Sequence, residues 1–150
     1  MASRGFGDAG GDGGLVGARL TDVAGASDVY VGGVVAYADD VKRTQLAVPL
    51  ETLRANGAVS AEAAAAMAAG VRRALAADVG VAVTGIAGPT GGTPDKPVGL
   101  VFISAESPDG EFAEELRLEG DRQAIREEAT AAALRLLQRV LSQSATDARA

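Results

Sequence analysis

Residues 79–105 read VGVAVTGIAGPTGGTPDKPVGLVFISA. The first seven residues form an apolar run of strand length closed by Gly85. Such a run suits a strand buried on both faces, the habit of sheets covered by helices on either side. After a loop rich in Gly and Pro, VGLVFISA at 98–105 predicts a second strand. The turn SPDG at 107–110 supports a hairpin to a third, EFAEELRLEG, although the carboxylates of that segment would also suit a helix.

Working outward from this core, residues 58–78 predict a helix. Ser60 suits its N-cap, Glu62 its positive end and Arg72 and Arg73 its negative end, while Ala63, Met67, Val71 and Leu75 recur every four residues. Further upstream, VYVGGVVAYADD predicts a strand from about Val31 to Tyr37, followed by a short helix from Asp39 or Asp40 through Gln45 that stops before Pro49. GGLVGARLTDV at 13–23 predicts a short helix with Asp12 as its cap. Downstream, Ile125, Ala129, Ala132, Leu136 and Val140 form one stripe of a long terminal helix, beyond which SATDARA is expected to fray. Strands alternating with helices, then a hairpin and a helix, give the expected fold class: a single layered αβα domain with a mixed, largely parallel sheet. The expected boundaries are a Gly-rich leader over 1–12, the domain over 13–141 and a flexible tail over 142–150.

Composition narrows the chemistry. The 150 residues suit one domain, and the 47% of hydrophobic residues include many alanines but only three Phe and two Tyr, so the core should be aliphatic and closely packed. A net charge of −6 argues against nucleic acid as a partner. With no apolar run near membrane length and no basic-then-apolar leader, the expected setting is cytoplasmic, away from any membrane. Cys and His are both absent, which removes disulfides, thiol nucleophiles, Cys/His zinc sites and the commonest general base. Only Lys42 and Lys96 are lysines, so a lysine-dependent mechanism has two candidates.

Three segments can carry chemistry. In TGIAGPTGGTPDKPVG, Thr84 to Gly99, the glycines Gly85, Gly88, Gly91 and Gly92 can let N–H groups converge on an anion, with Thr93 and Lys96 adding a hydroxyl and a charge. Loop statistics alone favour a plain surface connection, and the absence of GK[ST] excludes a Walker A loop. In Tyr37-Ala-Asp-Asp-Val-Lys42 the lysine can serve as a base if burial or a nearby cation lowers its pKa, or it can be a solvated residue beside Asp39 and Asp40. In the opening run GFGDAGGDGGLVG, Gly13 and Gly14 precede a helix that could hold an anion, although Gly-rich leaders are more often disordered. No hydroxyl lies between Gly5 and Val16, so the run supplies no nucleophile.

Taken together, GGLVGARLTDVAGASDVYVGGVVAY, the Lys42 helix, NGAVS, TGIAGPTGGTPDKPVG and GDRQAIRE resemble, in the same order, the C-terminal domain of the CinA family. Its members include nicotinamide-nucleotide amidohydrolases that deamidate nicotinamide mononucleotide. The resemblance implies that Tyr37 and Lys42 match the residues assisting a nucleophilic serine. It also implies that the loop from Thr84 to Lys96, with Gly13 and Gly14, lines a pocket for a pyridine nucleotide. It further implies hydrolysis with neither metal nor cofactor, and self-association into a homo-oligomer, commonly a dimer. The family's Glu-Ser-Cys-Thr segment corresponds here to Ala9, Gly10, Gly11 and Asp12, so the serine position falls on Gly10. The family's leading helix and strand are expected to be missing, leaving the neighbours of a central strand unpaired. Two functions follow: a deamidase-family domain that lacks its serine, or a non-catalytic domain that binds a nucleotide or a protein.

Overall fold

The computed structural model describes residues 5–147 and Arg149. Its elements are β1 (Phe6–Gly10), α1 (Leu15–Thr21), a 3-10 turn at Ala26–Asp28, β2 (Tyr30–Val35), α2 (Asp39–Leu46), α3 (Leu50–Asn56), α4 (Ala61–Ala74), β3 (Val79–Gly85), β4 (Leu100–Ser107), β5 (Gly110–Arg117) and α5 (Arg122–Asp147). The five strands form one mixed sheet in the order β2-β1-β3-β4-β5. β1 runs parallel to both β2 and β3, whereas β4 and β5 each run antiparallel to the strand before them. The single α/β domain with a mixed sheet is therefore as expected.

The expected gap in that sheet is filled. Phe6–Gly10 is a strand with partners on both sides, its residues Gly7 to Gly10 facing Gly32, Gly33, Val34 and Val35 of β2 and Gly80 to Val83 of β3. FGDAG has little β propensity of its own. Its place is set by ladder bonds from two neighbours and by a lack of bulk: a Cβ at Gly7 would come within 2.7 Å of the Leu75 side chain. The part of the expectation that concerns a leading helix falls on residues outside those described.

Two other elements differ from the sequence pattern. α3 was not foreseen, because Pro49 both stops α2 and, with φ −61°, precedes the first turn of a new helix. α5 continues through 142–147, where a tail was expected. There the Ser144 hydroxyl donates to Asp109 in the β4–β5 turn at 2.7 Å, tying the last turns to the hairpin.

β3 is buried from Val79 to Thr84, as its unbroken apolar run implies. Val79, Val81 and Val83 pack with Val101 and Ile103 of β4 and with Ile125, Leu136 and Val140 of α5. On the other face Ala82 and Ala9 meet Leu46, Met67, Ala68 and Val71. α4 approaches closely because two glycines permit it. A Cβ at Gly80 would fall on the Ala68 carbonyl, and one at Gly70 on the Leu46 carbonyl. Ser60 caps α4 as predicted, accepting from Ala63 N at 3.1 Å.

From β1 the chain passes through α1 to β2 on one side, then through α2, α3 and α4 to β3 on the other. A crevice opens beyond the carboxyl ends of strands where the connections part in this way. The glycine-rich stretch thus supplies the strand at the switch point.

Candidate functional site

A cleft of about 180 Å³ lies at that crevice. Gly11 contributes from the end of β1, Tyr37 from the end of β2, Thr84 and Gly85 from the end of β3, and Lys42 from α2.

Lys42 is 4% exposed, so it is no solvated surface lysine. Its ammonium donates to the Tyr37 carbonyl oxygen at 3.1 Å and lies 3.6 Å from the Asp39 carboxylate. These partners offset the cost of burying the charge. Tyr37 is 68% exposed, and its hydroxyl accepts from Arg122 Nη2 at 3.3 Å. The tyrosine and the lysine are thus joined through the tyrosine's main chain.

The other wall is the loop after β3. Thr84 is buried, and its hydroxyl donates to the Ala58 carbonyl at 2.7 Å, fixing this wall against the segment before α4. Arg122 Nη1 donates to the Gly88 carbonyl at 2.8 Å, so a single guanidinium grips both the loop and Tyr37. Farther along, Gly91, Gly92 and Thr93 are exposed and lie outside the cleft lining. Thr93 and Lys96 close a tight turn, Thr93 N donating to the Lys96 carbonyl at 2.8 Å and Lys96 N to the Thr93 hydroxyl at 3.0 Å. The Lys96 ammonium donates to the Asn56 carbonyl, holding the loop to the end of α3.

Gly13 and Gly14, with φ of 74° and 88°, turn the chain into α1 and do not line the cleft. The N-cap of α1 is Gly14 and not Asp12 as expected, but the Asp12 carboxylate, two residues before the cap, accepts from Gly14 N and Val16 N at 3.1 Å each and so holds the first turn. Arg126 Nη2 donates to the Asp12 carbonyl at 2.8 Å and pins this turn to α5. A Cβ at Gly10 would meet the Asp12 Oδ1 atom at 2.9 Å, whereas one at Gly11 would meet nothing nearer than 3.9 Å. An apolar recess of about 40 Å³, with Val83, Val101 and Ile125 among its walls, adjoins the cleft at Gly11 and Gly85.

Beneath the turn, Asp8 is 4% exposed and accepts a hydrogen bond from the Tyr30 hydroxyl. Burial pushes its carboxyl up to about 6, reinforced by the nearby charge of Asp12 and opposed by the Tyr30 hydrogen bond. Burial, followed by contact with Asp8, raises the Tyr30 phenol above its ordinary range. Gly17 and Gly33 leave the room that the pair occupies.

Among the expected residues, the structure brings Tyr37, Lys42, Thr84 and Gly85 together in the cleft, with Gly88 touching it through Arg122. Asp39, Arg122 and Arg126 were not foreseen as site residues. The i, i+4 spacing of the two arginines in GDRQAIRE, which puts both on one helix face, was the available signal. Lys42, Arg122 and Arg126 against Asp39 make the cleft locally cationic in a chain of net charge −6, an environment that favours an anionic ligand. Tyr37 and Thr84 carry the only hydroxyls among the described lining residues, and both are engaged. Among the described residues no three acidic side chains converge to hold a metal ion, and no helix is long and apolar enough to cross a membrane.

The family model described as CinA C-terminal domain matches residues 10–141. The chain is 51% identical over 130 residues to a CinA-like protein of Mycolicibacterium gilvum, an alignment covering 86% of this chain and 31% of that protein. It therefore spans about a third of the length of the curated relatives it matches. Among solved structures it is similar to the competence/damage inducible protein CihA of Agrobacterium tumefaciens, with a TM-score of 0.86 at 40% identity, covering 90% of this chain and 84% of that one. It is also similar to the competence-damaged protein (CinA) superfamily protein KP700603 of Klebsiella pneumoniae 700603. That match has a TM-score of 0.89 at 30% identity and covers 94% of this chain and 89% of the other.

Proposed function

The chain belongs to the CinA C-terminal domain family, and we propose that its cleft is a pyridine-nucleotide amidohydrolase site that binds nicotinamide mononucleotide but lacks the attacking group. The observation that carries this proposal is Gly10. In the family chemistry a serine oxygen adds to the carboxamide carbon, the C–N bond breaks with loss of ammonia, and water releases the nicotinate nucleotide. Here the serine position has no side chain, and neither lining hydroxyl can replace it. Thr84 donates to Ala58 from a buried position, and Tyr37 faces Arg122.

Binding needs less than turnover. The buried ammonium of Lys42 and the guanidinium groups of Arg122 and Arg126 are held by protein partners before any ligand arrives, which lowers the ordering cost of capturing an anion. The proposed setting is cytoplasmic pyridine-nucleotide metabolism, with neither metal nor cofactor required. Self-association into a homodimer belongs to the same proposal, and light scattering on the eluting protein tests it.

Calorimetric titration with nicotinamide mononucleotide, paired with an ammonia-release assay, tests the main proposal. Binding that weakens in Lys42→Ala, without ammonia release above that variant's level, is the expected result. Turnover that Lys42→Ala abolishes would instead support an active deamidase. In that case the buried lysine would activate water in the open space beside Gly11.

A further inference from the structure

A second cavity, of about 400 Å³, lies between α1 and the start of α5, lined by Leu15, Arg19, Arg122, Gln123, Arg126 and Glu127. Arg122 and Arg126 line this cavity and the cleft alike, so the two guanidinium groups stand between them. We propose that this outer cavity is a phosphomonoester subsite, in which Arg19, Arg122 and Arg126 hold the phosphoryl group of a ligand whose amide end lies beside Lys42.

This inference rests on the nucleotide reading of the cleft and extends it to residues outside the expected site. Three cations face one carboxylate here, and that carboxylate, on Glu127, already accepts from Gln123 Nε2 at 3.1 Å. Arg122 is committed to Gly88 and Tyr37, and Arg126 to the Asp12 carbonyl. A guanidinium has five N–H donors, so each retains donors for phosphoryl oxygens, and its fork suits that geometry. Arg19, half exposed, has only a long contact of 3.8 Å to the exposed Asp22 and can turn to a ligand at little cost. The start of α5 is already capped by the Asp121 carboxylate, which accepts from Ala124 N at 2.8 Å, so the attraction comes from the three guanidinium groups.

Arg19→Gln is the test variant, because Arg19 holds no other part of the fold, and Arg126→Lys is a second. Titrations use inorganic phosphate, nicotinamide mononucleotide and the dephosphorylated nicotinamide riboside. Inorganic phosphate should compete with the mononucleotide, and Arg19→Gln should weaken the mononucleotide about fivefold or more while leaving the riboside unchanged. Equal loss for both ligands, or no competition by phosphate, would overturn the subsite while leaving the nucleotide reading intact. Phosphate binding that Arg19→Gln removes, without mononucleotide binding, would keep the subsite and overturn the nucleotide reading. No binding of either would overturn both.

Discussion

Asp8 places a carboxylate on a central strand, buried against the Tyr30 phenol and near the charge of Asp12. Its folded-state pKa of about 6 lies above the unfolded value of 3.8. A raised pKa means that the native state binds the proton more tightly than the unfolded chain, so this group's stabilising contribution is complete below about pH 4. It is lost as pH rises through about 6, and the loss is on the order of 2–3 kcal/mol from the size of the shift. Urea unfolding at pH 5 and pH 7.5 should show wild type gaining stability on acidification relative to Asp8→Asn. Identical slopes for the two proteins would show that Asp8 is not the buried acid described. Gly10 and Asp12 set a second residue-scale prediction. A serine placed at 10 alone would press on the Asp12 carboxylate, which holds the turn into α1. The pair Gly10→Ser, Asp12→Thr should therefore acquire ammonia release from nicotinamide mononucleotide where Gly10→Ser alone gains less. Adding Lys42→Ala to the pair should lower turnover about a hundredfold or more, the usual scale for a lost general base. No gain in the pair would mean that the missing serine is not the cause of inactivity.

Among the elements, α4 carries the most packing on one side of the sheet, and its contacts with α2 and β3 depend on the absence of a side chain at Gly70 and Gly80. Gly70→Ala would push α4 away from the Leu46 carbonyl at the end of α2, the helix that carries Lys42. It should destabilise the fold by about 1–3 kcal/mol and weaken mononucleotide binding, measured by urea midpoint and by titration. An unchanged midpoint would mean that the helices do not approach so closely. The legible elements were those with an apolar pattern or a cap: α4 through Ser60 and its four-residue recurrence, β3 through its unbroken apolar run, and the hairpin through SPDG. β1 was not legible, because a strand of Gly, Asp and Ala shows no pattern and owes its place to neighbours far away in sequence. α3 was hidden by Pro49, which signals a stop as readily as a start.

Over the whole molecule, an acidic chain gathers three cations around one crevice where the connections from β1 and β2 diverge. Half of that site could be read in advance, since Tyr37, Lys42, Thr84 and Gly85 sit at strand ends or one turn into a helix. Arg122 and Arg126 come from α5, whose contact with the turn after β1 through the Asp12 carbonyl spans most of the chain and leaves no local trace. A ligand held by both ends of the chain should stabilise the fold as one unit. With mononucleotide at a hundredfold its Kd, the gain should be about 2.7 kcal/mol, read from the shift in the thermal midpoint. A proton NMR experiment on one sample of protein and nicotinamide mononucleotide separates binding from turnover at this site, because saturation transfer reports binding and the nicotinate resonances report deamidation. The expected result is saturation transfer, weaker in Lys42→Ala, with no nicotinate nucleotide accumulating over hours. Accumulation that depends on Lys42, or the absence of saturation transfer, would contradict a site that binds without turning over.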